Sequence, residues 1–496
     1  MVMDAVRLRG RRPAPAATAV LGWLVGVVGV VGGAAVLVAT RPSWLIVGGL
    51  VAAIGIVLLV LLVPAAVVPT AWVLVVFIGV LRKILAGSAG HVSNDPLIAA
   101  PYALLLPLLV ARFWWGTRYR LHLWLAAAFA AVVFGAFLIV LVQGTSSFGA
   151  LRATVEQIAA PLCALALVHP KLRGSLRATV VTVRITAVLA ALYGIVQYVA
   201  PPRWDMRWLE NVVLEQGVQS FGQPIPGQFR LFGPLNAPLA FAVVLSVGII
   251  CWVFWSGRLW IKLAAIAVIA VPLLLTSVRT SVFALALTLP IAALVHYRKR
   301  AVVPLVAIIA AVAAIPTVLS VLAPDLVTRF SVATLGTDTS LNSRVRLLDT
   351  STGSIFGFGG GPGASSNGSI VTDNGYLAAF IDFGTLGGTL FLCLVLVALG
   401  VALRFALRSD TAVRGLPLAL VLLYALEETS APVIQSQQGL IFWVTLALLG
   451  VAALPGHPDG SAGADGSDGA TVERGSAQRS LPAATPAAPP AAALDR

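Results

Sequence analysis

The residues with the clearest chemical meaning are a few arginines and carboxylates set beside long apolar runs. Arg344 and Arg346, in NSRVRLLD, open a polar stretch that carries Asp349 and Asp373 and then runs straight into another apolar segment. Arg230, in GQFRLFGP, and Arg279, in TSVRTS, border apolar runs in the same way. Charges beside a bilayer are expensive unless a site needs them. The planar guanidinium suits bidentate contact with phosphate, and a carboxylate can act as a general base. The set therefore points to an anion site for a lipid diphosphate beside Arg230, Arg279, Arg344 and Arg346, with Asp373 as a candidate catalytic carboxylate. Plainer accounts stand beside this one. A single arginine can snorkel to headgroups, and Asp373 heads an apolar run, where a carboxylate caps a helix and complements its dipole.

These residues need a scaffold, and composition says which kind. The 496 residues are 59% hydrophobic and 10% charged, against roughly a quarter charged in soluble domains. The expected fold is all-α, a polytopic transmembrane helical protein. Runs of roughly 17–25 apolar residues can cross the hydrocarbon, and about fourteen such spans (12–14) are expected. They lie near 19–39, 44–63, 65–81, 97–113, 122–142, 152–168, 178–199, 235–256, 260–276, 280–296, 301–322, 372–402, 414–430 and 437–454. Residues 1–18 form a basic N-terminus, 19–454 the membrane domain, and 455–496 a Gly-, Ser-, Ala- and Pro-rich tail unable to bury a core.

Charge fixes the expected orientation. With the N-terminus in the cytoplasm, the basic loops 112–122, 169–177, 257–262, 296–300 and 404–414 all fall inside, as the positive-inside rule requires. Two long, partly helical loops, about 200–234 and 323–371, then fall outside the cell membrane together, with Arg82, Lys83, Arg230, Arg279, Arg344 and Arg346. The net charge of +14 belongs to this pattern. No basic face with interleaved aromatics supports nucleic-acid binding. Cys163, Cys251 and Cys393 sit in apolar runs without disulfide or zinc spacing, and the five histidines show no HxxxH pair, so no metal site or cofactor is expected. The basic start precedes a long span with no small-residue cleavage site, so no cleavable signal is expected.

Four further polar features stand out, two of them open between two readings. RWDMRW (203–208) suits an interfacial aromatic belt or a sugar-stacking surface. Asn236 precedes a span and can cap it. GFGGGPG (357–363) is a flexible turn or a backbone cradle for phosphate, although it lacks the Lys-Ser/Thr of a P-loop. Glu427 and Glu428 are the main acidic exception among spans whose centres read as almost uncharged, and they fall near an outer end.

Three pieces of sequence resemble the O-antigen ligase and O-antigen polymerase superfamily of membrane glycosyltransferases over about residues 180–400. ALYGIVQYVAPPRWDMRW followed by RLFGPLNAPLAFA looks like the family's Arg–Pro–Asn segment ahead of a span. Arg344 to Leu348 reads as its Arg-x3-Leu. Asp373, with ten residues between it and Gly384, stands where ligases place His in a His-x10-Gly motif, and Arg279 falls where the family often has an Arg between spans. The resemblance implies metal-independent, inverting transfer of a glycan from a polyprenyl-diphosphate carrier to a glycan or glycolipid acceptor at the outer face. Other polysaccharide-assembly membrane proteins are the expected partners. The change from His to Asp373 leans toward a polymerase or an atypical ligase. A lipid-linked glycan flippase or other polytopic transporter is the alternative, and it would want polar groups lining a path through the spans.

Overall fold

Leu, Ala and Val dominate the apolar runs, and in hydrocarbon such a run satisfies its backbone groups only by coiling on itself. The computed structural model describes residues 64–86, 100–102, 104–105, 121–143, 148–168, 173–215, 221–297, 357, 359–367, 373–409, 411 and 413–452. Among them the structure is helical, with one isolated β-bridge, Gly222 to Phe229, and no strand. After a 3-10 turn at Pro64–Ala66 the helices are α1 (Val67–Ala86), α2 (Leu121–Val142), α3 (Phe148–Leu167), α4 (Arg173–Val199) and the short α5 (Arg203–Glu210). Then come α6 (Pro238–Phe254), α7 (Leu259–Leu275), α8 (Arg279–Tyr297) and a single turn at Ala364–Asn367. The last are α9 (Gly375–Arg408), α10 (Gly415–Glu427) and α11 (Leu440–Ala452).

Among the described residues, six helical stretches are long and apolar enough to cross a membrane, Val67–Ile84, Leu121–Val142, Gly149–Leu167, Ser175–Val199, Arg279–Tyr297 and Gly375–Arg408. Four shorter apolar helices stand beside them. The expected spans near 19–39, 44–63 and 301–322, and most of 97–113, lie outside the described residues, as do Arg344, Arg346 and the tail.

α4 forms the spine, packing on α1, α6 and α7, while α8 packs on α10, α2 on α3 and α9, and α11 on α3. The Trp72 indole N–H on α1 donates to Thr186 Oγ1 on α4 at 3.0 Å. Phe129 on α2 meets Phe383 and Phe391 of α9 at 5.6 and 5.3 Å, and Trp443 of α11 at 6.3 Å. Outward faces stay apolar. On α4, Ile185, Leu189, Leu192 and Val196 are exposed, and on α9 so are Leu392, Leu396, Leu403 and Leu407. Spacings of three, four and seven put each set on one stripe. Uncovered apolar stripes of this kind are what hydrocarbon contact demands.

One helix is broken on purpose. α9 starts at an N-cap, Asn374, whose Oδ1 accepts from the Leu377 N–H at 3.0 Å. The capping role considered for Asp373 therefore belongs to its neighbour. Ten residues on, Gly384 leaves helical geometry at φ 66°, ψ −169°, a region open essentially to glycine alone. A Cβ there would run into the Gly357 carbonyl oxygen. Gly384→Ala should cost about 1–3 kcal/mol in backbone strain, before the clash is added. The check is the melting temperature of purified protein in detergent, which should fall clearly below that of the parent. A Gly400→Ala control, at a helical position with open space around it, should not show this fall.

Candidate functional site

The polar groups gather at one end of the bundle, and a buried lysine organises them. Arg82 and Lys83 belong to the last turns of α1 rather than to a loop, and Lys83 is buried. Its Nζ donates to Asp205 Oδ1 at 2.7 Å, to the Leu235 carbonyl at 3.0 Å and to the Gly233 carbonyl at 3.4 Å. It also stands 4.5 Å from the Phe232 ring centroid and 5.3 Å from that of Trp208. Asp205 Oδ2 accepts from the Tyr193 hydroxyl at 2.6 Å and from Gln197 Nε2 at 2.8 Å. Gln197 then closes the ring, accepting from the Gly233 N–H at 2.8 Å and donating to its carbonyl at 3.2 Å. Four segments, from α1, α4, α5 and the 231–236 loop, are tied at one point.

This settles how RWDMRW is placed. Asp205, Trp208 and Leu209 turn inward, while Arg203, Trp204 and Arg207 stay exposed. Inward positions at i, i+3 and i+4 are one helix face, so α5 is half core and only half belt. Trp208 packs against Phe221 and Phe232 at 5.4 and 4.9 Å. Asn236 does not cap α6, whose N-cap is Ala237 with no side-chain bond and Pro238 just behind it. With its amide oriented by the network, Asn236 accepts from Arg82 Nη1 at 2.8 Å and donates to the Leu235 carbonyl at 3.2 Å.

The loop held by Lys83 presents Arg230. Its Nε donates to the Thr276 carbonyl at 3.1 Å and its Nη2 to the Ser277 carbonyl at 3.4 Å, while the Leu231 N–H donates to the Leu275 carbonyl at 3.3 Å. These carbonyls form the α7–α8 turn, whose next residues lead directly to Arg279 at the head of α8. Ser277 holds a left-handed φ of 56° there, an unusual conformation for a residue with a side chain. The structure thus brings Arg230 and the root of Arg279 to one turn.

Asp373 lies at the same end. It is exposed, and two residues later the Gly375 N–H donates to the Glu428 carbonyl at 2.8 Å. Glu428 is fully buried at the end of α10. Its side chain accepts from the Ile434 N–H at 2.7 Å and from Gln435 Nε2 at 3.2 Å, and Gln435 also donates to the Gly375 carbonyl at 2.9 Å. Glu427, also buried, lies on the α8 side beside Ser281, but the two do not meet at hydrogen-bonding geometry. The starts of α8 and α9 and the end of α10 therefore share one face of the bundle.

The glycine-rich segment is used internally. The Gly363 and Ser365 N–H groups donate to the Asp382 carboxylate at 3.3 and 2.7 Å. The Gly360 and Gly361 N–H groups donate to the Ile381 and Asp382 carbonyls at 2.8 and 2.9 Å. Those donors face the kink of α9, so they are not a phosphate cradle. Asp382 and the Lys83–Asp205 pair were missed in the sequence, although the helical spacing of Asp205, Trp208 and Leu209 carried a signal. The spans also hold more charge than they read to. Arg184 is half-buried on α4, and Arg152 and Glu156 pair on α3 at 3.5 Å.

No protein-family model matches the chain, and neither does any curated relative. Among the described residues no group of three His, Cys, Asp or Glu side chains could hold a metal ion.

Removing one member of a buried ion pair leaves the other uncompensated, at about 3–5 kcal/mol. Lys83→Met should therefore lower the yield of folded protein sharply. Lys83→Met with Asp205→Leu should recover part of it, read as the monodisperse fraction in size-exclusion chromatography. A double variant as poor as the single would refute charge burial as the cause.

Proposed function

We propose that the chain is a membrane glycosyltransferase. It would transfer or polymerise a glycan from a polyprenyl-diphosphate-linked donor onto a sugar hydroxyl at the extracytoplasmic face of the cell membrane, in the manner of O-antigen ligases and polymerases. The observation that carries the reading is the fastening of Arg230 to the turn that precedes Arg279, at the bundle end where Asp373 is exposed.

In this reading the acceptor oxygen attacks the anomeric carbon and the sugar–phosphate bond breaks. The diphosphate leaves with the bonding electrons, and Asp373 takes the acceptor proton. Charge grows on the leaving group, so fixed cations lower the barrier most when they are placed before the reaction begins. Arg230 and Arg279 would supply two of them, joined by Arg344 and Arg346. The proposed polarity follows the positive-inside rule, by which the basic loops would leave this end outside. No nucleotide is needed, because the activated bond is already in the lipid donor.

A second reading, a flippase or other transporter, is favoured by one observation. Glu427 is a fully buried carboxyl with neither oxygen hydrogen-bonded, and ionisable groups within spans often mark transport paths.

The deciding experiment supplies purified protein in detergent with a lipid-linked glycan donor and an acceptor. Covalent joining is expected, and a flippase cannot produce it. Arg279→Ala and Arg344→Ala should each abolish joining while protein stays at parental levels in the membrane. Asp373→Asn should depress turnover by about 10²–10⁴-fold, the range for loss of a general base. Full activity in either arginine variant would overturn the proposed clamp.

A further inference from the structure

At the other end of α7 lies a second cationic feature that the proposed chemistry does not use. Arg184 projects from α4 and lays its guanidinium on the Trp252 ring of α6, with Cζ 3.8 Å from the ring centroid. The Trp252 indole N–H donates back to the Arg184 carbonyl at 3.2 Å, which fixes the ring beneath the cation. The guanidinium reaches the α6–α7 turn, where Gly257 lies close to its Nη2. From α7, Lys262 comes up to the same place, its Nζ donating to the Val253 carbonyl at 2.7 Å and within electrostatic range of Arg184.

Among the described residues no carboxylate pairs with Arg184 or Lys262, and Arg184 Nε has no acceptor. Two cations held together without an anion repel each other, and a bound anion would relieve that. The surroundings define which anion. Leu259, Trp260 and Ile261 at the start of α7 are all exposed, Trp260 by 81%, and Ile185 is exposed beside Arg184. A small soluble anion gains nothing from such walls, whereas a phospholipid can bury acyl chains against them while its phosphate meets the cations. Exposed Trp is common at the headgroup boundary.

We propose that Arg184, Lys262 and the Trp252-backed turn between α6 and α7 form a binding site for the phosphate headgroup of an anionic phospholipid. The site sits at the bundle end remote from Arg230 and does not depend on the chain being a transferase. A bound lipid would brace α4 against α6 and α7.

The test adds phosphatidylglycerol, phosphatidylcholine or inorganic phosphate to delipidated full-length protein in neutral detergent. Bound lipid is followed by native mass spectrometry, and stability by melting temperature. Phosphatidylglycerol should bind and raise the melting temperature, and phosphatidylcholine should do neither. Arg184→Gln and Lys262→Gln should each weaken phosphatidylglycerol binding roughly fivefold, the scale of one basic group at an anionic surface. Arg408→Gln, on another helix, should leave it unchanged. If Arg184→Gln fails to fold, Lys262→Gln carries the test by itself. Unchanged phosphatidylglycerol affinity in Lys262→Gln overturns the proposal, and so does an equal melting-temperature rise from inorganic phosphate alone.

Discussion

Lys83 can be buried only because three oxygens and two aromatic faces surround its ammonium, and that requirement shapes the polar end of the molecule. Desolvating a lone ammonium is prohibitive, so Asp205 and the carbonyls of Gly233 and Leu235 must all arrive together. Meeting it forces α5 to fold back over α4 and fixes the 231–236 loop. That loop is in turn what holds Arg230 against the α7–α8 turn. Arg230 is therefore aimed by a network that joins residues as much as 152 positions apart in sequence.

α9 repeats the principle by other means. A buried carboxylate, Asp382, gathers N–H donors from the glycine-rich segment, and the helix must open at Gly384 to let that segment approach. Backbone donors satisfy a carboxylate without a counter-charge. The kink changes the direction of α9 nine residues after its start, and with it the angle at which Asn374 and Asp373 emerge. The spacing between Asp373 and Gly384, visible in sequence as a motif, thus has a mechanical sense: one residue heads the helix and the other permits its bend.

Much of the fold was legible because hydrocarbon allows few alternatives. Apolar runs predicted helices at 122–142, 178–199 and 280–296, and the structure places α2, α4 and α8 there. The polar end was legible only in part. Arginine beside a span stands out in any window, so Arg230 and Arg279 were found from composition. Asp205 did not stand out, because its meaning depends on Lys83, 122 residues earlier, and no local pattern joins them. Asn374 was hidden for the opposite reason: Asp373, its neighbour, was an equally good cap on local grounds, and only backbone geometry chose between them. The glycines of 357–363 left a phosphate cradle open beside a plain turn, because sequence shows the donors and conceals the Asp382 carboxylate that accepts from them.

The choice between transfer and transport turns on where polar groups lie along the bundle axis. A conducting path needs groups spaced from one face to the other, each able to hold its cargo in turn. Lys83, Asp205 and Glu428 are instead grouped at one end, and their hydrogen bonds tie the protein to itself. Arg184 and Lys262 lie at the far end of α7. Glu427 alone has uncommitted buried oxygens among the carboxylates described. One such group beside a serine makes a place where a proton can rest, and one resting place is not a route. A surface that grips an anion needs no route, only cations fixed on the side where the substrate arrives. In the proposed reading, the Arg230 loop and the α7–α8 turn would supply such cations.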